Sequence, residues 1–471
     1  MMNTIVLLAK RNKPWVIRVV IIGTTICALP VLGLLTTKVS PLFVIAAVAS
    51  LLIVPVVFLN LQIGPVLILL AATATEWYVS KGITPALVLT ALLAAAWLVQ
   101  QVVLGRRIEL VKSPVMTPAL GFILVAVISL PWGKAMADPL LADWPGVELI
   151  QLAQLAVLVL SPVALILTAN LITTKRHLKV LVWAYLGFTT IGILAEFLRL
   201  PFGLNLRGLT STWAVGLLYG QLLFNKKLPK WLRLVLVLVI GVWLYLRFFL
   251  GIAWKSGWLP VVISIGVITF LRSKKLFLLL LVLLLIFVYV YLDWWVEVWA
   301  EEDATSGNRF DKWEFLFQHH STRGHWLLGT GPFGYALYFM TYFPSNAAST
   351  HSNYIDLFLQ MGVIGCAAFA WLLGAIAQVG YKLRATSIKD QFIAGFVSSA
   401  LGGLVAVLAA MFLGDWFTPF VLNQGLHGFS WTVNSWIFLG ALVAVPFILS
   451  NRREREESRE ANAWFPNSAR L

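Results

Sequence analysis

Charge is scarce in this sequence and cysteine nearly absent. Of 471 residues, 12% are charged, 60% hydrophobic and 13% aromatic, whereas a soluble domain has about 25% charged and about 45–50% apolar residues. So few polar groups cannot cover a globule of this length, which excludes a soluble enzyme, a disordered chain and a collagen-like one. The two cysteines, Cys27 and Cys366, both lie in apolar runs. That excludes a disulfide framework and disfavours a cysteine metal site, leaving buried apolar cysteine as the ordinary reading. Acidic residues number 20 against 35 Lys and Arg, for a formal charge of +15. In a soluble protein this would suggest nucleic acid. Here charge asymmetry across a bilayer is the better account, and no nucleic-acid partner is implied. No small-x-small site follows the first apolar run, which therefore reads as a retained anchor.

What the sequence does hold is a series of apolar stretches from Val16 to Ser450. Each is long enough to cross about 30 Å of hydrocarbon as a helix. Spans are expected near 19–35, 41–59, 62–76, 83–104, 115–131, 147–171, 180–199, 210–225, 234–252, 257–271, 276–296, 352–381, 391–413 and 432–450. Those at 62–76 and 210–225 are the shortest. The fold expected is an all-α polytopic membrane protein with about 12–14 transmembrane helices and one large external loop containing short helices. Most of the 35 basic residues fall on alternate connections, such as Lys10–Arg18, Arg106–Lys112, Lys226–Arg233 and the arginines after Asn451. By the positive-inside rule both termini are then cytoplasmic, in a plasma (inner) membrane protein. The Arg/Glu alternation of Asn451–Glu460 reads as a solvated tail.

One connection breaks the pattern. The segment 297–350 is too long for a turn between packed helices, and it is rich in Trp, Phe, Tyr and Gly, unlike a disordered linker. Four of the six histidines (His319, His320, His325 and His351) lie in or beside it. Ser306–Trp313 looks like a helix start, with Asn308 as cap, Asp311 three residues on, and Phe310, Trp313 and Phe317 spaced to face the bundle. Arg309 would take the first helical position, where free amides and a guanidinium suit a phosphate. The plain alternative is a surface arginine paired with Asp311 or Glu314. Gly329–Gly334 fits G-x-G-x-x-G, but the dinucleotide reading needs a βαβ unit, so a tight glycine turn is expected. Ser349–Asp356 opens the next span, with Asn353 and Asp356 as a further capping pair and His351 at the helix mouth. Histidine there is either a general base or an interfacial hydrogen-bonding anchor. No cluster has metal-ligand spacing, so neither a metal nor a cofactor is expected.

These pieces resemble the O-antigen ligase and O-antigen polymerase superfamily of polytopic bacterial glycosyltransferases. The ligase motif is His, then Asn, Ser or Gln, nine residues, Gly, two residues, and Gly, Thr or Tyr. His351-Ser352, 353–361, Gly362, Val363-Ile364 and Gly365 match it throughout. Arg309-x3-Trp313 and Leu328-Gly329-Thr330-Gly331 are similar to its upstream elements. The resemblance runs from about 200 to 381. It divides the chain into N-terminal helices (1–200), a ligase- or polymerase-like core (201–381), C-terminal helices (382–450) and the tail (451–471).

Two departures stand out. In Ala253–Leu259, Lys255 occupies the place of an Arg, and Arg207–Trp213 stands where relatives have an Asn-Pro-Asn turn. The resemblance implies a metal-independent, inverting glycosyl transfer on the outer face. The donor would be a glycan on undecaprenyl pyrophosphate, and the acceptor a glycolipid or glycan. His351 would be the base and Arg309 the cation at the leaving group. Lys255, Arg207, Ser352 and Asn353 would be substrate contacts. A polymerase of the same superfamily is the alternative. A transporter, such as a proposed inorganic-carbon carrier, is a third reading, disfavoured because Glu196, Arg247 and Asp415 fall near span ends rather than at the midplane, where a transport path needs its charges.

Overall fold

The computed structural model describes residues 60–74, 82–104, 108–138, 141, 144–200, 204, 206–250, 255–293, 296, 309–322, 325–343, 349–386 and 389–464. The expected spans 19–35 and 41–59, the Asn308 cap, the end of the tail and the side chains of Lys255 and Arg309 lie outside that description.

Helices run α1 Gly64–Ala74, α2 Pro85–Val99, α3 Met116–Ala135, α4 Val147–Leu171, α5 Lys175–Phe197, α6 Thr210–Phe224 and α7 Lys230–Tyr245. They continue with α8 Lys255–Arg272, α9 Lys274–Val290, α10 Arg309–Thr322, α11 Gly334–Tyr342, α12 Asn353–Thr386, α13 Gln391–Leu413 and α14 Gly428–Trp464. Eight of the described helices are long and apolar enough to cross a membrane. The protein is an all-α, multi-pass membrane protein, and its long connection carries the short helices α10 and α11.

Helix starts are written locally. Thr84 Oγ1 accepts from the Leu87 amide with Pro85 at the first position, Thr174 accepts from His177, and Ser273 from Leu276. Asp390 caps α13 by accepting from Ile393 and also pairs with Lys175 at the start of α5. Such caps satisfy amides that would otherwise be orphaned at helix ends.

The centre of the bundle is α6. Nearly every residue from Thr210 to Gln221 is buried, with α8 and α13 packed along it and α5 and α14 beside it. Lipid tails are as apolar as leucine, so helices here are held by close packing and interhelical hydrogen bonds of about 0.6 kcal/mol each. Small residues permit the approach: a Cβ on Gly403 would fall 2.6 Å from the Trp213 ring, and Ser399 Oγ donates to Gly216 O at 2.9 Å. Trp213 Nε1 donates to Ser435 Oγ at 2.7 Å. The expected span 210–225 is thus a 15-residue helix enclosed by protein, too short at about 1.5 Å per residue to cross the hydrocarbon alone.

Helices from all three sequence segments share one core, because α14 lies along α4 and α13 along α6 and α8. At the opposite extreme, α9 has no buried residue and sits chiefly beside α8.

Candidate active site

The site begins with a broken helix. α12 is interrupted at Gly362 (φ 66°, ψ −166°), which divides it into a short piece, 353–361, and a long one, 363–386. The expected span 352–381 is therefore two helical pieces, and the first is largely buried against α10 and α11. A break in a membrane helix leaves backbone groups that must be satisfied by protein. The glycine turn does this. Thr330 N donates to Leu359 O at 2.9 Å and Gly331 N to Gln360 O at 3.0 Å. In return Val363 N donates to Trp326 O at 2.8 Å and Ile364 N to Leu327 O at 3.1 Å. Gly329 and Gly331 have φ of 71° and 81°, a region open to glycine without penalty. Gly329–Gly334 is thus a turn, and its neighbours are helix rather than a βαβ unit.

Immediately before the short piece lies the turn that carries His351. Ser349 Oγ accepts from His351 N at 3.1 Å, and Thr350 Oγ1 accepts from Ser352 N at 3.2 Å. These two hydroxyl turns curl the chain so that His351, half-buried, takes φ 53°. Left-handed backbone is uncommon outside glycine and persists only where its surroundings hold it.

Four groups hold it. Trp313 Nε1 of α10 donates to Thr350 O at 2.9 Å, and Lys312 Nζ to Ser349 O at 3.4 Å. Thr350 Oγ1 donates to Asp356 Oδ1 at 2.6 Å, and Ser349 Oγ to Asp415 Oδ2 at 2.8 Å. Asp356 receives a second donor, the Tyr335 hydroxyl, at 2.5 Å. Burial, reinforced by Asp356 and then Asp415, holds that hydroxyl well above the usual phenol range, so it stays a donor.

The candidates divide accordingly. Ser352 and Asn353 are buried. Asn353 is fully engaged: its Nδ2 donates to Thr418 O at 2.7 Å and its Oδ1 accepts from Phe417 N at 2.8 Å. Asp356, expected as its capping partner, turns instead to Thr350 and Tyr335. Arg309 begins α10 as expected, one turn before Trp313, so the backbone sets this helix start beside the His351 turn. The buried stripe of α10 differs from expectation, since Leu316 is buried while Phe317 is exposed and meets Phe358 at its rim.

Arg207 lies elsewhere on the bundle. It lines a cavity of about 260 Å³ with Glu196, Leu204, Ser211, Arg247 and Gly257. Arg247 follows α7 in a π-helical turn, Leu246–Leu250, and bonds Glu196 at 2.8 Å. Gly257 is two residues into α8 from Lys255, so the start of that helix borders the same cavity. A chain of contacts runs from the cavity, whose wall includes Gly208, to the histidine turn. Gly208 is packed against Trp416 and Trp431, and Asp415, next to Trp416, bonds Ser349. Sequence reading missed Tyr335 and Asp356 as a pair, and noticed Asp415 only as a charge near a span end.

No protein-family model matches this chain, and a search of curated proteins finds no match to it either.

Proposed function

We propose that the protein is a glycosyltransferase of the O-antigen ligase kind, moving a glycan from undecaprenyl pyrophosphate to a sugar hydroxyl on the outer side of the inner membrane. The observation that carries this reading is the bond from Trp313 to Thr350. It joins two motif pieces that lie apart in sequence, the Arg309 helix start and the His351 turn, as a reaction needing a cation and a base at one bond requires.

In this reading His351 accepts the proton of the acceptor hydroxyl as its oxygen attacks the anomeric carbon. The bond from that carbon to the pyrophosphate oxygen breaks, and the electron pair leaves with the pyrophosphate. Arg309 stabilises the growing charge. One displacement inverts the anomeric configuration. Arg207 and the Lys255 helix start supply further positive charge beside the cavity, where Arg247 is offset by its pair with Glu196. Asn353, engaged on Thr418, serves by holding the turn. The basic connections and both termini face the cytoplasm. Among the described residues no three His, Cys, Asp or Glu side chains group to hold a metal ion.

The test is reconstitution of the purified chain with a defined undecaprenyl-pyrophosphate glycan and candidate acceptors. Transfer to a lipid or glycan acceptor supports the reading. Joining of repeats on the carrier would make the protein a polymerase, and no turnover of any carrier-linked glycan would sink the proposal.

A further inference from the structure

Asp356 and Asp415 are each 1% exposed. Each loads one oxygen twice: Asp356 Oδ1 accepts from Tyr335 and Thr350, and Asp415 Oδ2 from Ser349 and Asn423. The second oxygen of each, Asp356 Oδ2 and Asp415 Oδ1, is buried with no donor among the described residues. Their partner hydroxyls belong to the consecutive residues Ser349 and Thr350, so the two carboxyl groups grip one turn together and act on each other there. Around them stand the Tyr335 hydroxyl from α11, Lys312 from α10, which bonds the Ser349 carbonyl, and His351 on the turn itself. A buried acceptor without a donor is costly, and two adjacent buried carboxylates resist joint ionisation.

We propose that Asp356 and Asp415 share one proton, and that this acid–carboxylate hydrogen bond closes the Ser349–Thr350–His351 turn onto the 414–418 segment. One proton satisfies both bare oxygens at once, since the O–H of one carboxyl donates to the other. The consequence for His351 follows from the connectivity. Asp356 holds the Thr350 hydroxyl, and Asp415 holds the Ser349 hydroxyl that receives the His351 amide. Joining the carboxyls therefore joins both grips on the left-handed residue. The pair is a positioning device. What His351 does once positioned rests on the function proposed above, but the shared proton does not.

Infrared difference spectroscopy of the purified chain, in H2O and D2O, reads the proton directly. Wild type minus Asp415→Asn should reveal a carboxylic-acid carbonyl band that shifts in D2O, and wild type minus Asp356→Asn should reveal the same band. In either variant an amide N–H replaces the shared proton, leaving the remaining carboxylate ionised. If one variant misfolds, the other carries the same test. Both Asn variants should keep turnover within a few-fold, while Asp415→Ala and Asp356→Ala, which bring no donor, should lose at least ten-fold in kcat with little change in KM. Absence of the band from the difference spectra overturns the proposal, and so does equal damage by Asn and Ala. Should no form turn over any carrier-linked glycan, the function fails while the infrared result still decides the pair.

Discussion

Gly362 sits so close to Leu327 that a Cβ on the glycine would fall 2.3 Å from the Leu327 carbonyl oxygen. The glycine turn and the break in α12 are thus one interlocked unit. Gly362→Ala adds that collision to the strain of a backbone region essentially confined to glycine (φ 66°, ψ −166°), about 1–3 kcal/mol, with overpacking typically about 1–3 kcal/mol more. A marked fall in thermal midpoint is expected in detergent. Gly374→Ala, on the same helix with nothing within 4 Å of its Cβ, should leave the midpoint unchanged or raise it slightly. Equal behaviour of the two would show that the break is not locked by this contact.

Replacing His351 calls for a residue that accepts its backbone. Asparagine tolerates φ 53° better than alanine, so His351→Asn should preserve the fold while removing the base. A general base contributes about 10²–10⁴-fold, and turnover should drop within that range at an unchanged thermal midpoint. Full activity in purified His351→Asn would remove His351 from the reaction.

The cations can be separated by their geometry. A planar guanidinium at a helix start binds pyrophosphate through a fork that lysine lacks. Arg309→Lys should therefore cost about ten- to a hundred-fold in rate, the equivalent of one charge-assisted hydrogen bond. Lys255 is already a point charge, so Lys255→Arg should be tolerated and Lys255→Glu severe. Indifference to both Arg309→Lys and Lys255→Glu, on the same lipid-linked donor, would place neither residue at the pyrophosphate.

Trp313→Phe keeps the ring bulk of α10 but leaves the Thr350 carbonyl, on a residue with 0% exposure, without its donor at 2.9 Å. Loss of one partner from a buried bond costs about 1–3 kcal/mol. The effect should fall mainly on kcat, because the bond aligns the base more than it binds donor. A change confined to KM would contradict that.

Chelation is the remaining check. With the chemistry carried by His351 and basic side chains, saturating chelator should leave turnover as it was. A complete loss reversed by one divalent metal would rule this mechanism out.

Much of the architecture was readable in advance, and the reasons differ by residue. Apolar length alone located α3, α4, α13 and most other spans, because the bilayer imposes that length. It could not tell that Thr210–Phe224 is enclosed by protein, since a helix buried among helices and one facing lipid have the same composition. The opening of α12 just after His351 and the Arg309 helix start were legible through spacing, and the glycine turn through its residues. Their junction was not, because Trp313 and Thr350 are 37 positions apart and only tertiary packing pairs them. Asp356 looked like a cap by its offset from Asn353. The competing donors Tyr335 and Thr350 won it. Asp415 gave no local signal of its partner at all.

Helix α9 shows how unevenly the membrane itself is used. No side chain of Lys274–Val290 is fully buried, and its packing runs chiefly through Phe277 on Phe270 of α8 and Val288 at the edge of the core, so its position draws mainly on partition of its leucines and aromatics into hydrocarbon, about 0.3–0.6 kcal/mol per residue at the centre of a span. Truncating its leucines to alanine should open no cavity, and a detergent that covers apolar surface poorly would loosen this helix first, leaving the histidine turn and its glycine plug intact.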